Sequence, residues 1–219
     1  MKLISATRGR FEDTLLCKSL TQMPTKDPIT LAIAENNTVG LSRVYNSELS
    51  AETLCFIHDD VVVADYWWRD VIEEGLKQYD IVGVAGNKRS FPGQRSWYLA
   101  EEGLSHDHLP NLSGMIAKGT DVCGSLKQCF GPLGEVETLD GVILAANGKK
   151  LIQAGVRFDE DFRFHFYDMA FCAQARKAGL TMGTIPLSLV HSSKGRFDRS
   201  WFEALELYRS KYDDNLADQ

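Results

Sequence analysis

The first 85 residues alternate between short apolar runs and segments of helical period, and this limits the folds open to the chain. Lys2 to Ala6 is apolar and strand-like, and Phe11 to Leu20 follows with Phe11, Leu15, Leu16 and Leu20 on one helical face. Ile29 to Ala34 is a second run, Leu41 to Leu49 a short helix and Thr53 to Ile57 a third run. Tyr66 to Gln78 is an amphipathic helix, and Ile81 to Ala85 is a fourth run. Runs of five or six apolar residues suit strands buried on both faces, and helical connections between them demand crossovers. The predicted fold class is therefore α/β, with a mostly parallel central sheet flanked by helices. In such sheets ligands gather outside the carboxyl ends of the strands. The polar residues that follow strands two and three are the first candidates.

Beyond residue 85 the pattern changes. Gly86 to about Glu135 is rich in Gly, Ser, Pro and Asn, with scattered aromatics, and reads as long loops with short strands that could cover a site. Order then returns: a strand over Val136 to Ala146, a helix over Asn147 to Ala154, a helix over Asp168 to Ala178 closed by Gly179, a strand over Thr181 to Val190 and a last helix over Trp201 to Tyr212. Trp67 and Trp68 are neighbours on a helix and so point different ways, one of them outward. With 219 residues, the chain is expected to be one domain. The change of pattern divides it into residues 1–90, a loop-rich part (91–135) and residues 136–219.

Hydrophobic residues make up 44% and charged residues 25%, which excludes a disordered chain. The net charge is −6 and no basic stripe occurs, so nucleic acid is not an expected partner. No apolar run approaches the roughly 20 residues of a membrane-spanning helix, and the start of the chain is too polar for a secretion signal. The five cysteines include no CxxC pair and are odd in number, which suits reduced thiols. Cys123 and Cys129 could pair across a glycine-containing loop, but nothing requires it. The expected location is the cytoplasm.

Three groups of residues carry chemistry. His58, Asp59 and Asp60 crowd two carboxylates and an imidazole at a strand end. Like charges within about 4–6 Å oppose each other's ionisation unless a cation sits among them. Either a divalent metal, Mn²⁺ or Mg²⁺, relieves that cost, or the two aspartates cap the following turn. His191 ends the last predicted strand; it either shares that metal or is an ordinary surface or core histidine. Lys194 and Arg196 follow closely and either meet phosphate oxygens or are solvated charges. Asp168 opens a helix, as an N-cap or as a general base in a cleft. Around it Phe162, Phe164 and Phe166 form either a sugar-stacking wall or core.

The ordered set TLCFIHDDV, LDGVILAANGKKL, GVRFDEDFRFHFYDMAFCAQARKAGL and VHSSKG resembles a glycosyltransferase family 2-like domain of GT-A fold, of the small type with HDD in place of D-x-D. The resemblance covers nearly the whole chain, best over 53–195. It implies that Asp60, with His58 and His191, holds the metal that bridges a nucleotide diphosphate, and that Asp59 meets the ribose or sugar. It places Glu35 on the nucleotide's base or ribose, Thr7 and Arg8 in the loop that touches the nucleotide, and Asp168 as the catalytic base. Lys194 joins these as a donor-binding candidate. The family's usual acid before that aspartate is replaced here by Tyr167, the first strand leads into SATRGR rather than the common P-x-Y-N, and no Q-x-x-R-W block follows.

The implied function is metal-dependent, inverting transfer of a sugar from a nucleotide-sugar donor to the hydroxyl of a glycan, lipid or protein acceptor. Such a reaction needs a cation on the leaving diphosphate and a carboxylate to take the acceptor's proton. Two alternatives stay open: a non-catalytic nucleotide-sugar-binding module, or a metal-dependent hydrolase using His58, Asp60, Asp168 and His191. A nucleotidyltransferase is disfavoured, because SATRGRFED offers only one glycine after the first strand.

Overall fold

The structure is a computed structural model, and it describes residues 1–23, 28–100, 104–123, 126–193, 195 and 197–213. Two six-stranded sheets organise it. The first runs in the order β11(Met182–Thr184), β5(Ile81–Gly83), β10(Ile143–Asn147), β3(Thr53–Ile57), β1(Lys2–Ala6), β2(Thr30–Ala34). β1 is parallel to β2 and β3, β5 is parallel to β11, and β10 runs antiparallel between β3 and β5. The central strands are apolar because helices cover both faces: Leu3, Ile4, Leu54, Phe56 and Leu144 are fully buried. The edge strand β2 is partly exposed instead.

Helices α1(Leu15–Gln22), α2(Leu41–Ser47) and α3(Trp68–Gln78) make the crossovers, and α4(Gly148–Ala154), α5(Tyr167–Lys177) and α6(Arg199–Tyr208) complete the set. Their starts follow the local chemistry. The Thr14 hydroxyl accepts from Cys17 N at 3.1 Å, and the Asn147 side chain accepts from Lys150 N at 3.2 Å. Trp68 is buried and Trp67 faces outward, as adjacent helix positions require. Between α2, α5 and the sheet lies an aromatic core, in which Phe158 stacks on Phe171 with ring centres 4.3 Å apart and Tyr45 meets Phe56 at 4.9 Å.

The second sheet contains β4(Val61–Val63), β12(Leu189–His191), β7(Leu112–Lys118), β6(Ala85–Asn87) and β9(Thr138–Leu139), with β8(Leu126–Gly131) paired to β7. Here the structure departs from the sequence reading. The run over Ile81 to Ala85 changes sheets at Val84, whose carbonyl accepts from Met115 N at 2.8 Å. The strands expected over Val136 to Ala146 and Thr181 to Val190 are each broken in two. The segment read as mainly loops supplies β7 and β8, a long antiparallel pair. Gly114 makes the crossing possible, because with φ +93 a Cβ there would lie 2.0 Å from the Val84 carbonyl oxygen. All five cysteines are free. Among the described residues no helix is long and apolar enough to cross a membrane.

Candidate functional site

The site forms at the carboxyl ends of β1, β2 and β3. After Ile57 the chain leaves β3, and His58 N still donates to Val142 O at 3.1 Å, as the β3–β10 ladder continues. Asp59 and Asp60 then turn the chain directly into β4. β4 pairs antiparallel with β12, with Val61 opposite His191. Ser192 N donates to Asp60 O at 3.0 Å, which clamps the turn against the end of β12. That pairing brings two residues 131 positions apart (60 and 191) side by side.

One ligand atom each from His58, Asp60 and His191 lies within 4.8 Å of the others. Asp60 Oδ1 is 3.2 Å from His191 Nε2 and 3.8 Å from His58 Nδ1. Asp60 Oδ1 and His191 Nε2 are both buried, yet neither makes a hydrogen bond of good geometry. Ligands at about 2.1 Å from one ion, at right angles, sit about 3 Å apart, so the spacing suits a shared cation. Two imidazoles and one carboxylate form a mixed set; carboxylate alone suits Mg²⁺, whereas Mn²⁺ accepts oxygen and also tolerates imidazole. The residues present therefore fit a divalent metal.

The electrostatics follow from the crowding. Burial, and then the neighbouring His191 ring, hold His58 below the ordinary histidine range. Burial alone would lower His191 as well, but the Asp60 carboxylate outweighs it and raises it. Burial would raise Asp60, but the two histidines pull it below the usual carboxylate range.

Asp168 reaches the same place from α5. Its Oδ2 accepts from Gly141 N at 3.0 Å, and its Oδ1 accepts from Met169 N at 2.9 Å. Burial, and then the nearby Asp140 carboxylate, push its pKa up to about 7. The backbone enters α5 through Phe166 in the left-handed region at φ 62, a costly conformation for a bulky residue. It sets the direction in which Tyr167 and Asp168 leave the helix start.

The remaining candidates stand around this centre. Thr7 and Glu35 follow the paired strands β1 and β2, joined by the hydrogen bond from Thr7 N to Ala34 O at 2.9 Å. Glu35 is exposed and its Oε1 accepts from Phe11 N at 2.5 Å. Arg8 is exposed, with its guanidinium 5.9 Å from the Phe164 ring centre. Phe164 is half exposed and stacks on His58, 6.4 Å between ring centres and 22° between planes. Phe162 and Phe166 are core instead. Asp59 sits in the β3–β4 turn, where its carbonyl accepts from Leu16 N at 3.1 Å. Lys194 and Arg196 lie outside the described residues. The structure thus gathers His58, Asp60 and His191 into one cluster, sets Asp168 beside it through Gly141, and places Thr7, Arg8 and Glu35 on the neighbouring strand ends.

Three residues were missed by sequence reasoning. Tyr167 and Gly141 touch the centre and Asp140 acts on it through its charge: Tyr167 Oη lies 2.7 Å from His58 Nε2 and donates to Gly141 O at 2.6 Å. Asp140 Oδ1 accepts from Val142 N at 2.8 Å, a local turn that ends before β10. The signal in the sequence was the Asp-Gly pair just ahead of an apolar run.

A mostly parallel central sheet with an acid- and histidine-lined cluster at its strand ends is an α/β architecture that carries its site where such sheets bind ligands. Residues 21–203 match the model of a glycosyltransferase-like family, and the chain belongs to that family. No curated protein sequence matches the chain. Among solved structures it is similar to the mannosyltransferase PcManGT from Pyrobaculum calidifontis in complex with GDP-Man and Mn²⁺, at 11% identity and a TM-score of 0.54, over 99% of this chain and 63% of that one. A second similar structure is S. aureus TarS, at 12% identity and a TM-score of 0.49, over 97% of this chain and 40% of that one. The chain therefore spans less than two thirds of either relative.

Proposed function

We propose that the chain transfers a glycosyl group from a nucleotide-sugar donor to an acceptor hydroxyl, with inversion at the anomeric carbon. The observation that carries this reading is the convergence of His58, Asp60 and His191, with Asp60 Oδ1 and His191 Nε2 buried 3.2 Å apart, beside a carboxyl with its pKa about 7. His58, Asp60 and His191 would hold Mn²⁺ in preference to Mg²⁺, given two imidazoles in the set. The metal would supply positive charge for the leaving diphosphate in a chain whose net charge is −6. The mannosyltransferase of the same fold was solved with a nucleotide-sugar and Mn²⁺, which supports this choice.

The chain's own residues do the rest. Thr7, Arg8 and Glu35 line the strand ends on the side assigned to the nucleotide; Asp59 is assigned to the ribose or sugar, and Lys194, outside the described residues, to the phosphates. Phe164 offers a half-exposed ring beside them. Asp168 takes the proton from the acceptor hydroxyl as it attacks. Each of its oxygens keeps a free lone pair beyond its backbone hydrogen bond, and a pKa near the working pH is what a general base needs. In this reading residues 1–90 bind the donor and residues 136–219 supply the base and the acceptor side.

Calorimetric titration with UDP, GDP, CDP and dTDP, with and without Mn²⁺, tests it on wild type and on Asp60→Ala. We expect one nucleotide to bind only with Mn²⁺ and to be lost in the variant. Absence of binding for every nucleotide in both metal states would overturn the transferase reading.

A further inference from the structure

Tyr167 Oη sits between His58 Nε2 and the Gly141 carbonyl, at 2.7 and 2.6 Å. A phenol carries one hydrogen, and a carbonyl oxygen can only accept. That hydrogen therefore goes to Gly141 O, and the short contact with His58 must be made by a hydrogen on the imidazole. His58 Nε2 is thus the protonated nitrogen. In the neutral ring the lone pair is then on Nδ1, the atom that faces Asp60 Oδ1 at 3.8 Å. No proton joins those two acceptors.

We propose that Tyr167 is a positioning residue that fixes His58 as the Nε2–H tautomer, so that Nδ1 is its metal-binding atom. The partner on one ring nitrogen decides which nitrogen is left for the ion, and partners of this kind commonly change metal affinity by about 10- to 100-fold when removed. Two backbone features hold the phenol in place. A Cβ at Gly141 would lie 2.1 Å from Tyr167 Oη, so only glycine lets the ring come this close. Phe166, at φ 62, starts α5 at the angle that delivers Tyr167 inward. Tyr167 is fully within the aromatic core, 5.9 Å from the Tyr45 ring, so its position is set by packing and not by the histidine.

The metal part of this proposal rests on the function proposed above; the tautomer does not. Nitrogen NMR of the metal-free protein, with His58 assigned by comparison with His58→Gln, reads the tautomer directly. We expect a protonated Nε2 and a bare Nδ1 in wild type, and a mixture of tautomers in Tyr167→Phe. A protonated Nδ1 in wild type, or an unchanged tautomer in the variant, would overturn the proposal, and the wild-type spectrum decides it even if the variant does not fold. Titration with Mn²⁺ alone then separates the two claims. A loss of about 10- to 100-fold in Tyr167→Phe, with an unchanged melting temperature, supports the positioning role. Wild type that binds no Mn²⁺ but shows the expected tautomer would sink the metal reading and leave the tautomer standing.

Discussion

At the scale of single residues, Asp168 is the group whose environment makes the sharpest demand. Its carboxyl is raised to about 7, chiefly by burial and then by Asp140. A general base must be ionised to work, so kcat/KM for the matched donor and acceptor should rise with pH through about 7 and level off above it. Asp168→Asn should lower kcat by about 10²–10⁴-fold with little change in donor binding. A flat pH profile between 5 and 9 would remove Asp168 from the role. Stability should move the other way. The folded pKa lies above the unfolded value of about 4, so the proton favours the fold. That contribution is complete below pH 4 and is lost as pH rises through 7. Asp168→Asn, which never ionises, should therefore melt at a higher temperature than wild type at pH 8, and the difference should shrink toward pH 5. His58, Asp60 and Asp168 could be singled out as candidates in the sequence because charge crowding at a strand end and an acid at a helix start are local patterns, whereas only the β4–β12 pairing brings His191 to them. Tyr167 was not: its partner lies 109 residues away, and an aromatic between Phe166 and Asp168 reads locally as core.

At the scale of elements, the runs that were read correctly were those bounded by local chemistry. β1 and β3 occupy the expected residues because each is one apolar run closed by polar residues. The strands that were read as one and proved to be two break where tertiary contacts require it. Val84 lets the chain change sheets, Asp140 and Gly141 turn it beside Tyr167, and Pro186 lies between β11 and β12. Only Val84 continues the hydrophobicity unbroken; Asp140-Gly141 and Pro186 are turn-formers whose local signal is outweighed by the apolar residues on either side. Gly114 is the most exacting of the crossing points. Gly114→Ala would place a methyl against the Val84 carbonyl at a positive φ. The variant should lose roughly 2–4 kcal/mol from combined backbone strain and overpacking. Chemical denaturation checks this, and a midpoint within error of wild type would mean that the β6–β7 crossing is looser than the structure indicates.

At the scale of the whole molecule, the second sheet was the part the sequence did not disclose. Apart from the β7–β8 hairpin, its pairs join β4 and β7 to β12 and β6 to both β7 and β9, across long stretches of chain that no short window of sequence contains. The cluster sits where the two sheets meet: His58 leaves β3 of the first, while Asp60 and His191 lead into and close strands of the second. An ion held there would tie the two sheets together in the folded state only, since in the unfolded chain His191 is 131 positions along from Asp60 and farther still from His58. A ligand that binds only the native state at 100 times its Kd adds about 2.7 kcal/mol. For a chain of this size that is about 5–10 °C in melting temperature. Mn²⁺ should therefore raise the melting temperature of wild type by about that much, EDTA should reverse it, and Asp60→Ala should show no response. A wild-type melting temperature indifferent to Mn²⁺ at millimolar concentration would mean that His58, Asp60 and His191 hold one another without an ion, and that the charge on any leaving diphosphate is met elsewhere.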